Sequence, residues 1–196
     1  MIVEDKKCVF LHIPKCAGSS IEKALGDIPT EELHAKNNGE FKYKINYQHA
    51  FPDEIPNLDQ YWSFCFVRNP WDRMVSYYEH MRRLNLFGKQ HTFGAFVRGL
   101  EDDFKKISFR RPHPARYFAM PAHTWAQKAD YVGKFESIHT DWKVIASKFS
   151  LPKLTHINQS KHINYAFYYD ETTIDIVRNY YAIDIDKYGY KYEGIQ

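Results

Sequence analysis

An α/β fold with a parallel sheet is predicted by three features of the sequence. Mostly apolar runs of strand length stand at residues 7–13, 62–67 and 131–135. Each is followed by a stretch whose apolar residues recur at helical spacing, and strands alternating with helices specify crossover connections. The chain has 196 residues, 17% of them aromatic, with nine glycines and nine prolines, so it can build a core and is neither collagen-like nor broadly disordered. At this length a single domain over residues 1–196 is expected.

The elements follow in order. Residues 7–13, bounded by Pro14, read as the first strand, residues 14–20 as a tight loop, and residues 21–26 as a helix ending at Gly26. Pro29, Asn37-Asn38-Gly39, Pro52 and Pro56 punctuate residues 27–59, which predicts a loop with short elements, long enough to carry function. The second strand ends at Arg68. Asn69-Pro70-Trp71-Asp72 then supplies an N-cap, a first-turn proline and an acid at the third helical position. Trp71, Met74, Val75, Tyr78 and Met81 step by three and four, a single buried stripe reaching about Leu84. Residues 92–100 predict a short helix. Residues 104–121, with Lys105, Lys106, Arg110, Arg111 and Arg116, predict an exposed insertion. After the third strand comes a helix with Trp142, Ile145, Ala146 and Phe149 on one face, then a fourth strand at 154–157. Asp170 caps a last helix with Ile174, Val177 and Tyr181 on one side, running to the tail at 188–190.

A net charge of +3 is too small for a protein that coats a duplex, so no nucleic-acid partner is expected. Cys8, Cys16 and Cys65 are odd in number and lack metal-ligand spacing, which argues against a disulfide framework and a zinc site and fits a reducing compartment. The apolar stretch at 8–13 is too short for a signal sequence or a membrane span, so a soluble cytoplasmic protein without membrane insertion is expected.

The loop at 14–20 carries the first chemical signal. A lysine, a glycine and two hydroxyls lie between a buried strand and a helix start, where backbone N–H groups and the positive end of the helix dipole meet an anion. In the nucleotide-binding pattern Gly-x-x-x-x-Gly-Lys-Ser/Thr the lysine follows the last glycine, whereas Lys15 precedes Gly18. The loop is therefore a variant, and an ordinary turn with Ser19 as helix cap is the alternative. Phosphoryl-transfer enzymes need a carboxylate for magnesium near the end of a neighbouring strand. This chain has Arg68 there, which suits a phosphate directly, and Asp72 is assigned to the helix cap rather than to a metal.

Phe10-Leu11-His12-Ile13-Pro14-Lys15-Cys16-Ala17-Gly18-Ser19-Ser20 resembles the 5′-phosphosulfate loop of sulfotransferases that use 3′-phosphoadenosine 5′-phosphosulfate (PAPS). Phe66-Val67-Arg68-Asn69-Pro70-Trp71-Asp72-Arg73-Met74-Val75-Ser76 resembles their 3′-phosphate motif. The resemblance is closest to the carbohydrate branch, of heparan 2-O and chondroitin type, in a soluble, bacterial-like form, and it continues more weakly from Val132-Gly133-Lys134-Phe135-Glu136 to the C-terminus. It implies a P-loop-like three-layer fold with a central parallel sheet flanked by helices. It implies PAPS as co-substrate and PAP as product, with no metal. Lys15, the backbone of Ala17, Gly18 and Ser19, and the hydroxyls of Ser19 and Ser20 would hold the 5′-phosphosulfate; Arg68 and Ser76 would hold the 3′-phosphate. Cys16 stands where the family often has threonine, so no role is carried over to it, and it reads as a small loop residue.

Sulfuryl transfer requires stabilisation of the departing phosphate, which Lys15 can supply, and a general base for the acceptor hydroxyl. Among ten histidines, His49 lies between the two cofactor motifs, where related carbohydrate sulfotransferases place a catalytic histidine. His12 reads as a structural hydrogen-bonding residue at a strand end, and Glu22 as part of a solvated helix face or an alternative base. Nothing in their spacing singles out His113, His123, His156 or His162. Asn158-Gln159-Ser160 is similar to a segment that closes over the nucleotide in relatives, and turn chemistry explains it equally well. Arg110, Arg111 and Arg116 read either as a grip on an acidic sugar polymer or as a solvated run. The expected activity is sulfuryl transfer to a carbohydrate or glycan-precursor hydroxyl, with a lipid or small alcohol as other acceptors. A small-molecule P-loop kinase and a non-catalytic nucleotide- or glycan-binding module are the alternatives.

Overall fold

Parallel pairing of the predicted strands is what the computed structural model, which describes residues 1–26, 49–84, 92–105, 118–155 and 163–194, places at the centre of one half of the chain. In chain order the strands are β1 (Ile2–Val3), β2 (Cys8–Phe10), β3 (Trp62–Val67) and β4 (Tyr131–Lys134). The helices are α1 (Gly18–Ala24), α2 (Pro70–Arg83), α3 (Phe93–Lys105), α4 (Ile138–Phe149), α5 (Glu171–Tyr180) and α6 (Ala182–Tyr188), with short helical turns between them. The chain divides into two units, Met1–Val67 with Thr124–Asn158, and Arg68–His123 with Gln159–Gln196.

The first unit holds a four-stranded sheet in the order β1-β2-β3-β4. β2 runs parallel to β3 with Cys8 opposite Trp62 and Phe10 opposite Phe64, and β3 runs parallel to β4 with Phe64 opposite Tyr131. The fold is thus P-loop-like α/β, with a mostly parallel sheet flanked by helices. β3 is buried from Ser63 onward, as its unbroken apolar run requires for an inner parallel strand. Phe10 and Phe64 stack at 5.2 Å, and a side chain at Gly133 would come within 2.6 Å of the Phe66 ring, so glycine there lets β4 approach β3. On α4, Trp142 and Ile145 are buried as the spacing predicted. Asp141 accepts from the Lys134 N–H at 2.8 Å and from the Ser137 hydroxyl at 2.7 Å, joining β4 to that helix.

Details of the first unit differ from the sequence reading. β1 pairs antiparallel with β2 and was not anticipated, because two residues are too few to show a period. Residues 151–155 form no strand, and 156–157, the rest of the expected fourth strand, lie outside the described residues. α1 begins at Gly18 and ends at Ala24, earlier at both ends than expected, with Gly26 beyond its cap at φ 93°.

In the second unit the α2 stripe is buried from Trp71 to Met81, against Val97 and Leu100 of α3 and Ile176 and Val177 of α5, whereas Leu84, the predicted end, is exposed. Aromatic residues supply much of the filling, as in the edge-on contact of Phe93 with Tyr169 at 4.8 Å. α3 continues to Lys105, past the predicted end. Residues 106–117, including Arg110, Arg111 and Arg116, lie outside the described residues. Near the close of the predicted insertion Ala119 is buried, not exposed, where the Tyr181 hydroxyl donates to its carbonyl, and just past the insertion Ala122 is buried, its N–H donating to Asp184. The last helix is two, divided at Tyr181. Asp170 caps α5, accepting from the Thr173 N–H at 2.7 Å. Among the described residues no helix is long and apolar enough to cross a membrane, and the three cysteines are buried thiols.

Asn69 serves two segments of this unit. Its side-chain oxygen accepts from the Trp71 N–H at 3.1 Å and caps α2, while its amide donates to the Lys191 carbonyl at 2.9 Å. Asn69→Ala should therefore cost about 1–2 kcal/mol, whereas Asn69→Asp keeps the cap and should cost less. Chemical denaturation of the two variants beside the parent checks this; equal losses would show that the amide donor, not the cap, dominates.

Candidate active site

The loop leaving β2 has an unusual backbone. Lys15 and Ala17 both lie in the left-handed region, at φ 66° and φ 67°, which costs free energy for residues that carry a Cβ. Left-handed residues inside such a turn aim successive N–H groups into a concavity suited to an anion. Ala17 is the N-cap of α1 and makes no side-chain capping bond, so the ordinary turn with Ser19 as cap is not what forms. Ser19 is instead an exposed helical residue, while Ser20 is buried and donates its N–H to the Ala17 carbonyl at 3.0 Å. By helix geometry the first-turn N–H groups of Gly18 and Ser19 have no acceptor within α1. Lys15 is half-buried beside them. Cys16 is buried, with Sγ 3.6 Å from the Pro14 carbonyl oxygen, in keeping with a small loop residue.

Gly18 is fixed by its neighbour. A Cβ there would fall 1.6 Å from Nε2 of His12, so the imidazole occupies the space of the missing side chain. His12 is 6% exposed, stacks on Phe10 at 5.3 Å, and its Nδ1 bonds the Glu22 carboxylate at 2.8 Å. The expected structural hydrogen bond of His12 is present. Its partner corrects the reading of Glu22, which faces His12 rather than solvent because residues 18 and 22 share a face of α1.

His49 completes this cluster. Its Nδ1 lies 3.0 Å from the His12 carbonyl oxygen, and its ring centroid is 4.3 Å from that of His12. A carbonyl can only accept, so Nδ1 carries the proton and the lone pair resides on Nε2. Trp125 donates its indole N–H to the His49 carbonyl at 3.0 Å and holds the backbone. Burial lowers the proton affinity of both rings, that of His49 to a pKa of about 4 with the neighbouring His12 as a second cause. The first unit therefore brings together Lys15, Ala17, Gly18, Ser19, Ser20 and His49.

Arg68 and Ser76 belong to the second unit. Arg68 is 6% exposed, and its Nε donates to Asp72 at 2.7 Å. Asp72 is thus the partner of Arg68 and Asn69 is the cap, a correction to the helix-cap assignment of Asp72. Such a pair orients the guanidinium fork. Ser76 lies on α2 one turn beyond Asp72 and is buried. Arg73, from the same motif, is buried and donates to the Phe118 carbonyl at 3.1 Å. His123 bonds Asp184 through Nδ1 at 2.8 Å, and Asp184 also accepts from the Ala122 and His123 N–H groups. That carboxylate anchors a chain turn, a task the sequence did not reveal. His113, His156, His162 and Asn158-Gln159-Ser160 lie outside the described residues. Among the described residues no group of three or more His, Cys, Asp and Glu side chains is placed to hold a metal ion.

A family model described as Sulfotransferase family matches residues 1–191. The chain belongs to the sulfotransferase family. Carbohydrate sulfotransferase 11 of Danio rerio is 22% identical over 179 residues, a match covering 72% of this chain and 50% of that protein. An uncharacterized protein of Archaeoglobus fulgidus is 28% identical over 112 residues, covering 55% of this chain and 85% of its own. The chain thus spans half the length of the zebrafish protein, and no solved structure gives a significant match. Sulfotransferases normally use PAPS, and the left-handed turn at Lys15 and Ala17 with the helix start behind it fits the phosphosulfate end of that molecule.

Two outcomes follow for this sulfotransferase. Gly18→Ala must displace the His12 ring, and should destabilise the fold by about 1–3 kcal/mol while shifting the ring signals of His12 and His49 in NMR; an unshifted pair of rings would place His12 elsewhere. Both histidines bind protons less readily folded than unfolded, so their neutral burial supports the fold above pH 6.5; for His49 that support is lost as pH falls from 6.5 through about 4. The melting temperature should decline across that window, and less steeply in His49→Gln.

Proposed function

We propose that this sulfotransferase moves the sulfuryl group of PAPS to a hydroxyl of a carbohydrate or glycan-precursor acceptor, in the cytoplasm, with residues 1–196 acting as one catalytic domain. The observation that carries the reading is the 3.0 Å contact of His49 Nδ1 with the His12 carbonyl oxygen: a proton there leaves Nε2 as the proton acceptor that an acceptor hydroxyl requires. PAPS supplies the group: an oxygen–sulfur bond forms to the acceptor as the bond from sulfur to the bridging oxygen breaks, the electron pair leaving with PAP. The acceptor proton goes to Nε2 of His49. Lys15 offsets charge gathering on the leaving phosphate, and the N–H groups of Ala17, Gly18 and Ser19 with the hydroxyls of Ser19 and Ser20 hold the 5′ end. Arg68, oriented by Asp72, and Ser76 hold the 3′-phosphate.

Sulfuryl transfer suits a site of this composition. The moving group carries less charge than a phosphoryl group, so a lysine and backbone donors suffice where a kinase calls for magnesium. The low proton affinity of His49 belongs to the protein alone, and negative charge on the loop raises it toward the range a base needs. The carbohydrate acceptor is supported by the name of the zebrafish relative. Arg110, Arg111 and Arg116 are proposed to meet acidic groups of that acceptor.

The test combines labelled PAPS with a panel of glycan acceptors and a binding measurement. PAP should bind and stabilise the protein without magnesium; stabilisation by ATP with magnesium and none by PAP would defeat the reading. His49→Ala should lower turnover by about 10² to 10⁴ and leave the Kd for PAP nearly unchanged, whereas Lys15→Ala should damage both. Arg68→Ala should weaken PAP roughly tenfold to a hundredfold and spare AMP, which lacks the 3′-phosphate.

A further inference from the structure

Resting on the reading of His49 as the base, we propose that Glu22 and His12 form a positioning pair that fixes the His49 ring against the phosphosulfate loop and favours its protonated form. Three contacts place the pair. Glu22 Oε1 lies 2.8 Å from His12 Nδ1, the His12 and His49 ring centroids are 4.3 Å apart, and the His12 carbonyl oxygen lies 3.0 Å from His49 Nδ1. His12 thus touches the base with both its ring and its backbone. The same ring fills the space beside Gly18, where the loop turns into α1. One imidazole therefore sets the spacing between the anion-binding turn and the base, and Glu22 holds that imidazole.

The charge pattern follows from the contacts. A carboxylate accepts, so His12 carries a proton on Nδ1, and burial disfavours a second proton on its ring. When His49 takes a proton, a second imidazolium 4.3 Å away would oppose it, whereas the Glu22 carboxylate favours it. The charged groups acting on the two rings are Glu22 from α1, Lys15 from the loop, which acts on His12, and the Met1 amino group, which acts on both. Lys15 and the Met1 amino group disfavour protonation, as His12 does for His49, while the His12 carbonyl and the Glu22 carboxylate favour the protonated His49. Phe10, stacked on His12, and Trp125, bonded to the His49 carbonyl, are uncharged.

Glu22→Gln separates charge from geometry, since glutamine still accepts from His12 Nδ1. The expected result is a fall of about one pH unit in the titration midpoint of His49, read from its ring carbon signals in NMR of the protein without ligand. Glu22→Asp keeps the charge and should stay close to the parent midpoint, and it serves as the variant to read if Glu22→Gln does not fold. An unchanged midpoint in Glu22→Gln, or a full unit lost in Glu22→Asp, overturns the proposal. The acid limb of kcat/KM separates this from the assignment of the base. It should move with the midpoint; a midpoint that moves while the limb stays supports the coupling and counts against His49 as the base.

Discussion

The imidazole of His12 occupies the volume into which any residue other than glycine at position 18 would place a side chain. That exclusion organises the first unit. It requires the chain leaving β2 to turn tightly, and Lys15 and Ala17 accept left-handed backbone to make the turn. It brings α1 close enough for Glu22 to reach His12, and it leaves the His12 carbonyl to set the tautomer of His49. Backbone strain, a carboxylate–imidazole hydrogen bond and the orientation of His49 are consequences of a single packing contact.

The second unit relies on a different device. Its side-chain oxygens hold backbone donors or a guanidinium: Asp184 takes the N–H groups of Ala122 and His123, Asp170 that of Thr173, Asn69 that of Trp71, and Asp72 the Arg68 side chain. Each fixes a place where the chain enters or leaves a helix, and the apolar stripe of α2 then finds its partners on α3 and α5. Arg68 is presented in this way by a carboxylate one helical turn away. The four-residue step from Arg68 to Asp72 brings the two side chains together by local spacing.

Local features were legible in the sequence for that reason. The bounds of β3, the proline-led start of α2, the Asp170 cap and the buried stripe all follow from period and capping chemistry acting within a few residues. The loop lysine, glycine and serines were legible as a motif, and the family match extends over residues 1–191. What escaped was set by contacts between residues far apart in the chain. Asp184 reaches back to residues 122 and 123, and the two-residue β1 exists only because β2 pairs with it. Glu22 had a readable clue, its four-residue step from Gly18, but the reading as a solvated face assumed nothing stood opposite α1. Asp72 was misassigned because an acid in a first turn fits a cap as well as it fits an arginine four residues back.

The site balances two demands that pull against each other. The base we propose, His49, needs one nitrogen held as a donor so that the other can accept, and burial against the His12 carbonyl supplies that. The same burial removes water that would solvate the imidazolium, which carries its pKa down to about 4. Stronger burial would sharpen the tautomer and weaken the base further; looser burial would do the reverse. A negative charge near the ring relieves the conflict without loosening it, because charge acts on protonation while the hydrogen bond acts on orientation. Glu22 meets that requirement from within the protein, one imidazole removed from His49, so the acid stabilises the protonated ring without competing for the nitrogen that must face the acceptor.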